Sequence, residues 1–158
     1  MNEKIEFFRR SWGFHRGHTT DLLKILSDEE LSFKVGDNVG TLGQQFRHLV
    51  RVDDQYISAI ENRKVENNRK KLDFPIEKSV QKLLEQFETD DERLFSVINQ
   101  IGDEDIKIDW SYWGEKELTL SEHLEAMVEH EILHHGELIV YFRILNKQFP
   151  DSWKAWGL

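Results

Sequence analysis

His130-Glu131-Ile132-Leu133-His134 sets two imidazoles four residues apart in a segment that reads as helix. Positions i and i+4 lie roughly 40° apart on one helical face. Two such side chains can grip one metal ion from the same side. Neutral imidazole suits Zn, Ni, Cu and Fe, and three protein ligands with an open position make a catalytic type of site. The reading therefore turns on what supplies the third ligand and what the intervening Glu does.

Working outward, the helix holding this pair opens at Thr119-Leu120-Ser121-Glu122, a capping box, and runs to about Lys147. Taking His130 as the reference, His123, His134, Glu137 and Tyr141 fall in one polar stripe. Leu124, Ile132, Leu133, Leu138 and Phe142 spread around the rest of the circumference. A helix that is apolar over so much of its surface is expected to be well buried. A second capping box, Thr41-Leu42-Gly43-Gln44, opens a helix reaching about residue 62 through Phe46, Leu49, Val50, Tyr56, Ile57 and Ile60. Residues 3–26 have looser helical spacing, with Gly13 and Gly17 as weak points.

Residues 62–73 are polar and basic and read as a solvated connector. Pro75 suits the first turn of a third helix, which carries Val80, Leu83, Leu84, Phe87, Leu94, Phe95, Ile98 and Ile101. That helix has a polar break at Thr89-Asp90-Asp91 and a stop at Gly102. Residues 103–118 alternate around Ile106, Ile108 and Trp110, which predicts a short irregular or two-stranded excursion. The expectation is an all-α protein, a four-helix bundle forming one domain over residues 1–158.

Composition narrows the chemistry. The 158 residues carry 21 Lys+Arg against 30 Asp+Glu, a formal charge of −9. Such a balance argues against a nucleic-acid partner, which would call for a basic footprint. There is no cysteine, so no disulfide, no thiolate site and no Cys nucleophile; any metal must be held by His, Asp or Glu. The segment MNEKIEFFRR is charged and has no apolar h-region. No apolar run approaches the roughly 18–20 residues that span a bilayer. The expected location is cytoplasmic, with no membrane partner.

The five-residue string also fits the HExxH pattern of zincin proteases, whose Glu activates a zinc-bound water. The remainder of the chain does not extend that pattern. Glu137 and Val140 stand where the longer motif asks for Gly and a third His. A carboxylate di-iron bundle needs Glu-x-x-His on two helices, and only Glu131-Ile132-Leu133-His134 is present. The third ligand is better sought on another helix. His48 is the only His of the second helix, and His15 and His18 are its rivals.

Leu42-Gly43-Gln44-Gln45-Phe46-Arg47-His48-Leu49, His130-Glu131-Ile132-Leu133-His134-His135-Gly136-Glu137 and the Pro150…Trp153…Trp156-Gly157-Leu158 ending together resemble the DinB/YfiT-like metalloprotein superfamily. The resemblance covers essentially the whole chain. It implies a four-helix bundle and the metal ligands His48, His130 and His134. His135 stands where that family usually has Arg, and Glu137 where it usually has Gln.

The resemblance further implies a divalent metal ion, Zn or Ni, and a low-molecular-weight thiol such as mycothiol or bacillithiol as co-substrate. The expected activity is a thiol-dependent S-transferase or a hydrolase. The alternatives are a non-catalytic metal-binding bundle (a sensor or degenerate member) and the HExxH protease. Glu131 and Glu137 are the candidate catalytic groups, as base or as partners of a ligand His. Trp110, Tyr112 and Trp113 would wall the pocket or simply cover the bundle end. The expected partners are a small-molecule substrate and, as an open alternative to a monomer, a second copy of the chain in a homodimer.

Overall fold

Four long helices carry the architecture of the computed structural model, which describes residues 3–67, 75–102, 106–114 and 116–158. They are α1 (Glu3–Lys24), α2 (Leu42–Asn62), α3 (Val80–Ile101) and α4 (Leu120–Ile144). Between α3 and α4 lie two short strands, β1 (Lys107–Asp109) and β2 (Glu117–Thr119).

Both predicted capping boxes form. The Thr41 hydroxyl accepts from the Gln44 backbone N–H, and the Gln44 side chain accepts from the Thr41 N–H. Thr119 and Glu122 repeat the arrangement at α4. Each cap stabilises its helix by about 1 kcal/mol. The start of α3 differs from expectation. Pro75 precedes a 3₁₀ turn over Ile76–Lys78, and Ser79 caps α3 by accepting from the Lys82 N–H. Thr89-Asp90-Asp91 is no break: α3 runs straight through it, because both aspartates turn inward to partners. Gln86 Nε2 donates to Asp90 Oδ1 at 2.9 Å, and Trp12 Nε1 to Asp91 Oδ1 at 2.9 Å. α4 ends at Ile144, short of Lys147, where Asn146 takes a positive φ of 54°.

Cross-helix contacts give the topology. Thr19 meets Glu131 and Ile25 meets Lys147, so α1 and its continuation run parallel to α4. Tyr56 meets Ala126 and Gln45 meets Tyr141, so α2 is antiparallel to α4. Arg47 meets Glu77 and Asp54 meets Arg93, so α3 runs alongside α2 in the same direction. The order is up-down-down-up, and the connection from α2 to α3 must cross the length of the bundle.

The first residues of the basic connector join the sheet: the Val65 N–H donates to Asp109 O and the Asp109 N–H to Arg63 O. Residues 68–74 lie outside the described residues. The two-stranded excursion is present, antiparallel, with Ile108 opposite Leu118. Residues 103–105 and 115 of that segment are also outside the described residues.

The interior has two apolar ends. One gathers Trp12, Ile57, Leu94, Ile108 and Met127; the other gathers Leu22, Phe46, Phe87, Phe142 and Trp153. Gly43 makes the second end possible. A Cβ there would stand 2.0 Å from the Glu77 carbonyl oxygen, so only glycine lets α2 approach the turn before α3. Among the described residues no helix is long and apolar enough to cross a membrane.

Candidate metal centre

The level between the two apolar ends is polar, and α4 divides it. On its α2 side, His48, His130 and His134 come together, each offering one ring nitrogen within 4.8 Å of the others. The ring centroids are 4.7 Å apart for His48–His134, 5.5 Å for His48–His130 and 4.5 Å for His130–His134. The helical spacing supplies the pair on α4, and the antiparallel packing of α2 brings His48 opposite it. His134 is buried, His130 half-buried and His48 exposed, so the cluster opens toward solvent on the His48 side.

The donor set suits a divalent ion. His130 Nε2 and His134 Nε2 stand 3.1 Å apart, near the about 3.3 Å expected for two imidazoles on one tetrahedral zinc. His134 Nδ1 donates to Glu137 Oε2 at 2.7 Å, which leaves the Nε2 lone pair available to a metal ion. Burial, together with the neighbouring His134 and His48, pushes His130 down to about 3, so its ring is neutral near pH 7. Neutral imidazole is the form that binds metal.

The opposite side of α4 carries a different polar assembly. The Arg16 guanidinium is stacked between the rings of Trp12 and Phe87, one from each apolar end, at 4.5 and 4.4 Å. It pairs with Asp53, with Asp91 at 3.4 Å and with Glu131 at 3.3 Å. The Thr19 hydroxyl donates to Glu131, and His135 Nε2 donates to the Thr19 oxygen at 2.8 Å. Burial pushes the Asp53 and Glu131 carboxyls up, with Arg16 opposing. Burial alone would push Arg16 down, but the facing carboxylates hold it above the ordinary arginine value.

The sequence-predicted residues therefore separate. His48, His130, His134 and Glu137 share one neighbourhood. The partners of Glu131 are Thr19 and Arg16, on the α1 side. His15 and His18 are not at the cluster either. His15 stacks on Trp156 at 6.0 Å, and the His18 ring nitrogens lie 2.6 Å from Phe14 O and 3.0 Å from Ser152 O.

The aromatic segment forms one edge of the region. Trp113 packs on Tyr56 at 5.0 Å, and Tyr56 lies 6.2 Å from the His130 ring. Trp110 is buried and donates through Nε1 to His123 Nδ1 at 2.8 Å, whereas Tyr112 is exposed. His123 donates in turn to Tyr56 O at 3.0 Å. Both of its nitrogens are engaged, so it belongs to the frame of the bundle despite its place in the polar stripe.

Sequence reasoning missed Tyr56 and the Arg16–Asp53–Asp91 group. The available signal was an ionisable residue inside an apolar helical register: Arg16 one turn from Trp12, and Asp53 between Val50 and Ile57.

Comparison with solved structures supports the architecture. A DinB-like protein from Bacillus cereus ATCC 10987 superposes with a TM-score of 0.76 at 21% identity, over 92% of this chain and 95% of that one. A DinB-like protein from Bacillus subtilis, YjoA, gives 0.69 at 20% identity, over 96% and 98%. No curated protein matches in sequence. Residues 1–148 match the sequence profile of the DinB family, and on that extent of match the chain belongs to the DinB family.

Proposed function

We propose that the protein is a divalent-metal enzyme acting on a small molecule, of the thiol-dependent S-transferase or hydrolase type. The observation that carries this reading is the convergence of His48, His130 and His134 on one point, with the exposed His48 side open to solvent. His48, His130 and His134 would hold the ion, Zn or Ni, through neutral ring nitrogens. Glu137 would fix the tautomer and orientation of His134 through the Nδ1 hydrogen bond. A bound dication would supply Lewis acidity, lowering the pKa of a water or thiol that reaches it.

The chain has no cysteine, so a sulfur nucleophile would come from a thiol co-substrate. Tyr56 and Trp113 present an aromatic edge beside His130 that would exclude water from one side of a bound substrate. The protease reading finds no support in the contacts of Glu131. Its carboxyl is buried against Thr19 and Arg16, on the far side of α4 from the cluster.

The test is metal analysis of untagged protein, followed by assays pairing low-molecular-weight thiols with electrophiles and with hydrolysable esters and amides. Turnover that requires the metal is expected. Protein carrying no metal after growth and purification with Zn and Ni supplied would overturn the reading.

A further inference from the structure

Tyr141 falls in the polar stripe of α4, about two turns beyond His134. Yet it is buried in the apolar end that holds Phe46 and Phe142. A hydroxyl sealed in such a place needs its polar partners nearby. Both are supplied by the start of α2. The Tyr141 hydroxyl donates to Gly40 O at 2.5 Å and accepts from Gln45 Nε2 at 3.2 Å. Gly40 precedes the Thr41 cap and Gln45 lies in the first turn after it. One hydroxyl therefore holds α2 on both sides of its cap. The Tyr141 ring is met edge-on by Phe33 at 6.3 Å, and Phe33 O accepts from the Leu42 N–H at 2.8 Å.

Gln45 and His48 stand three positions apart on one face of α2, the face turned to α4. Phe46 and Leu49 bury α2 in the core between them, but apolar packing is non-directional and leaves a helix free to slide. A hydrogen bond weakens steeply when its geometry is lost. A metal is stricter, tolerating about 0.2 Å in its ligand distances. Past His48, α2 next meets α4 about two turns on, where the Tyr56 hydroxyl donates to Ala126 O at 3.3 Å. Tyr141 makes the nearer and shorter of these two attachments.

We propose that Tyr141 is a positioning residue of the metal centre. Its hydroxyl sets the register of α2 against α4 and so places His48 opposite His130 and His134. The assignment rests on the metal-binding role proposed above for the three histidines. Tyr141 touches no metal and no substrate. It acts on the site through the helix that carries the third ligand, the one ligand that α4 cannot supply itself. Without the hydroxyl, Gly40 O and Gln45 Nε2 lose their shared partner, and the first turn of α2 settles elsewhere with His48 behind it.

Zinc affinity of the full chain, measured by competition with a chromophoric chelator, tests this. Tyr141→Phe keeps the ring and should weaken zinc by about tenfold or more. In the His48→Ala background the same substitution should leave the residual affinity within about twofold, because nothing remains for the hydroxyl to position. The visible spectrum of Tyr141→Phe loaded with Co(II) should move toward that of His48→Ala. A hydroxyl that only braced the fold would lower the melting temperature in both backgrounds and leave the spectrum unchanged. Gln45→Ala removes half of the clasp from the α2 side. It should act in the same direction, again only when His48 is present, and it decides the matter if Tyr141→Phe does not fold. Wild-type affinity in both variants would overturn the assignment and leave the metal site standing, as would an effect of equal size with and without His48. Wild-type protein that takes up no zinc would overturn the site and the assignment together.

Discussion

His134 donates from Nδ1 to Glu137 Oε2 at 2.7 Å, three residues further along the same helical face. A carboxylate oxygen facing a ring nitrogen can only accept a hydrogen bond, so Nδ1 carries the hydrogen and Nε2 keeps its lone pair. That lone pair belongs to the atom 3.1 Å from His130 Nε2. One turn of α4 thus contains two imidazoles and the group that sets the tautomer of one of them.

Glu137→Ala should lower divalent-metal affinity by about tenfold or more, since groups that orient a ligand His typically matter at that scale. Glu137→Gln keeps an acceptor oxygen and should retain more of the affinity than Ala. Competition against a chromophoric chelator at pH 7.5 measures both. Equal affinity in wild type and Glu137→Ala would remove Glu137 from the site.

Alanine at His48, His130 or His134 should each lower metal affinity at least tenfold, about 1.4 kcal/mol or more. His15→Ala and His18→Ala should leave affinity unchanged, because their rings are engaged with the C-terminal segment. They should instead lower the melting temperature. Full metal occupancy in His48→Ala would show that α2 supplies no ligand.

The elements were legible wherever local chemistry acts alone. The two Thr capping boxes and the period of α2 and α3 mark helix starts and faces without reference to the rest of the chain. The pair His130/His134 was legible for the same reason. His48 was not fixed by spacing, because the antiparallel approach of α2 to α4 is a tertiary fact. It came from likeness to a family.

Asp90 and Asp91 show the opposite failure. Two acids in sequence read as a solvated break, yet partners from α1 and α3 draw them inward. The surroundings of Glu131 were not legible either. Its carboxyl meets Arg16 and Thr19, over a hundred positions away, and no local pattern announces those contacts. Ile132 and Leu133 were read as part of a well-buried helix, yet both are exposed, because the sequence does not say how many neighbours a helix has.

Acid should destabilise the fold through its sealed histidines. Burial pushes His123 down to about 4 and His135 down to about 3. Near pH 5 the unfolded imidazoles are protonated and the folded ones are not, so the unfolded state binds more protons and stability falls as pH drops below about 6.5. The raised carboxyls of Asp53 and Glu131 act in the opposite sense, taking up protons first in the folded state.

A difference measurement isolates His123. The stability advantage of wild type over His123→Gln should shrink by about 2 kcal/mol between pH 7.5 and pH 5. Urea unfolding in the presence of chelator reads this. An advantage that stays constant would mean that His123 titrates alike in the folded and unfolded chains.

Arg16 and Glu131 give the sharpest separation of scaffold from site. Arg16→Met removes the cation from three inward-facing carboxyls while keeping much of the volume between Trp12 and Phe87. Breaking a buried ion pair at one partner typically costs about 3–5 kcal/mol, so a large drop in urea midpoint is expected at pH 7. The drop should ease toward pH 5, where protonation relieves the unpaired acids. Glu131→Gln keeps an oxygen to accept from Thr19 and removes one of the three negative charges. It should cost less than Arg16→Met and leave metal affinity within about threefold of wild type, a change of under 1 kcal/mol. If the enzyme reading holds, Glu131→Gln should also keep most metal-dependent turnover, and no peptide should be cleaved by either protein. A loss of about 10³-fold in peptide hydrolysis on that substitution, with metal retained, would return Glu131 to the reacting centre as a base.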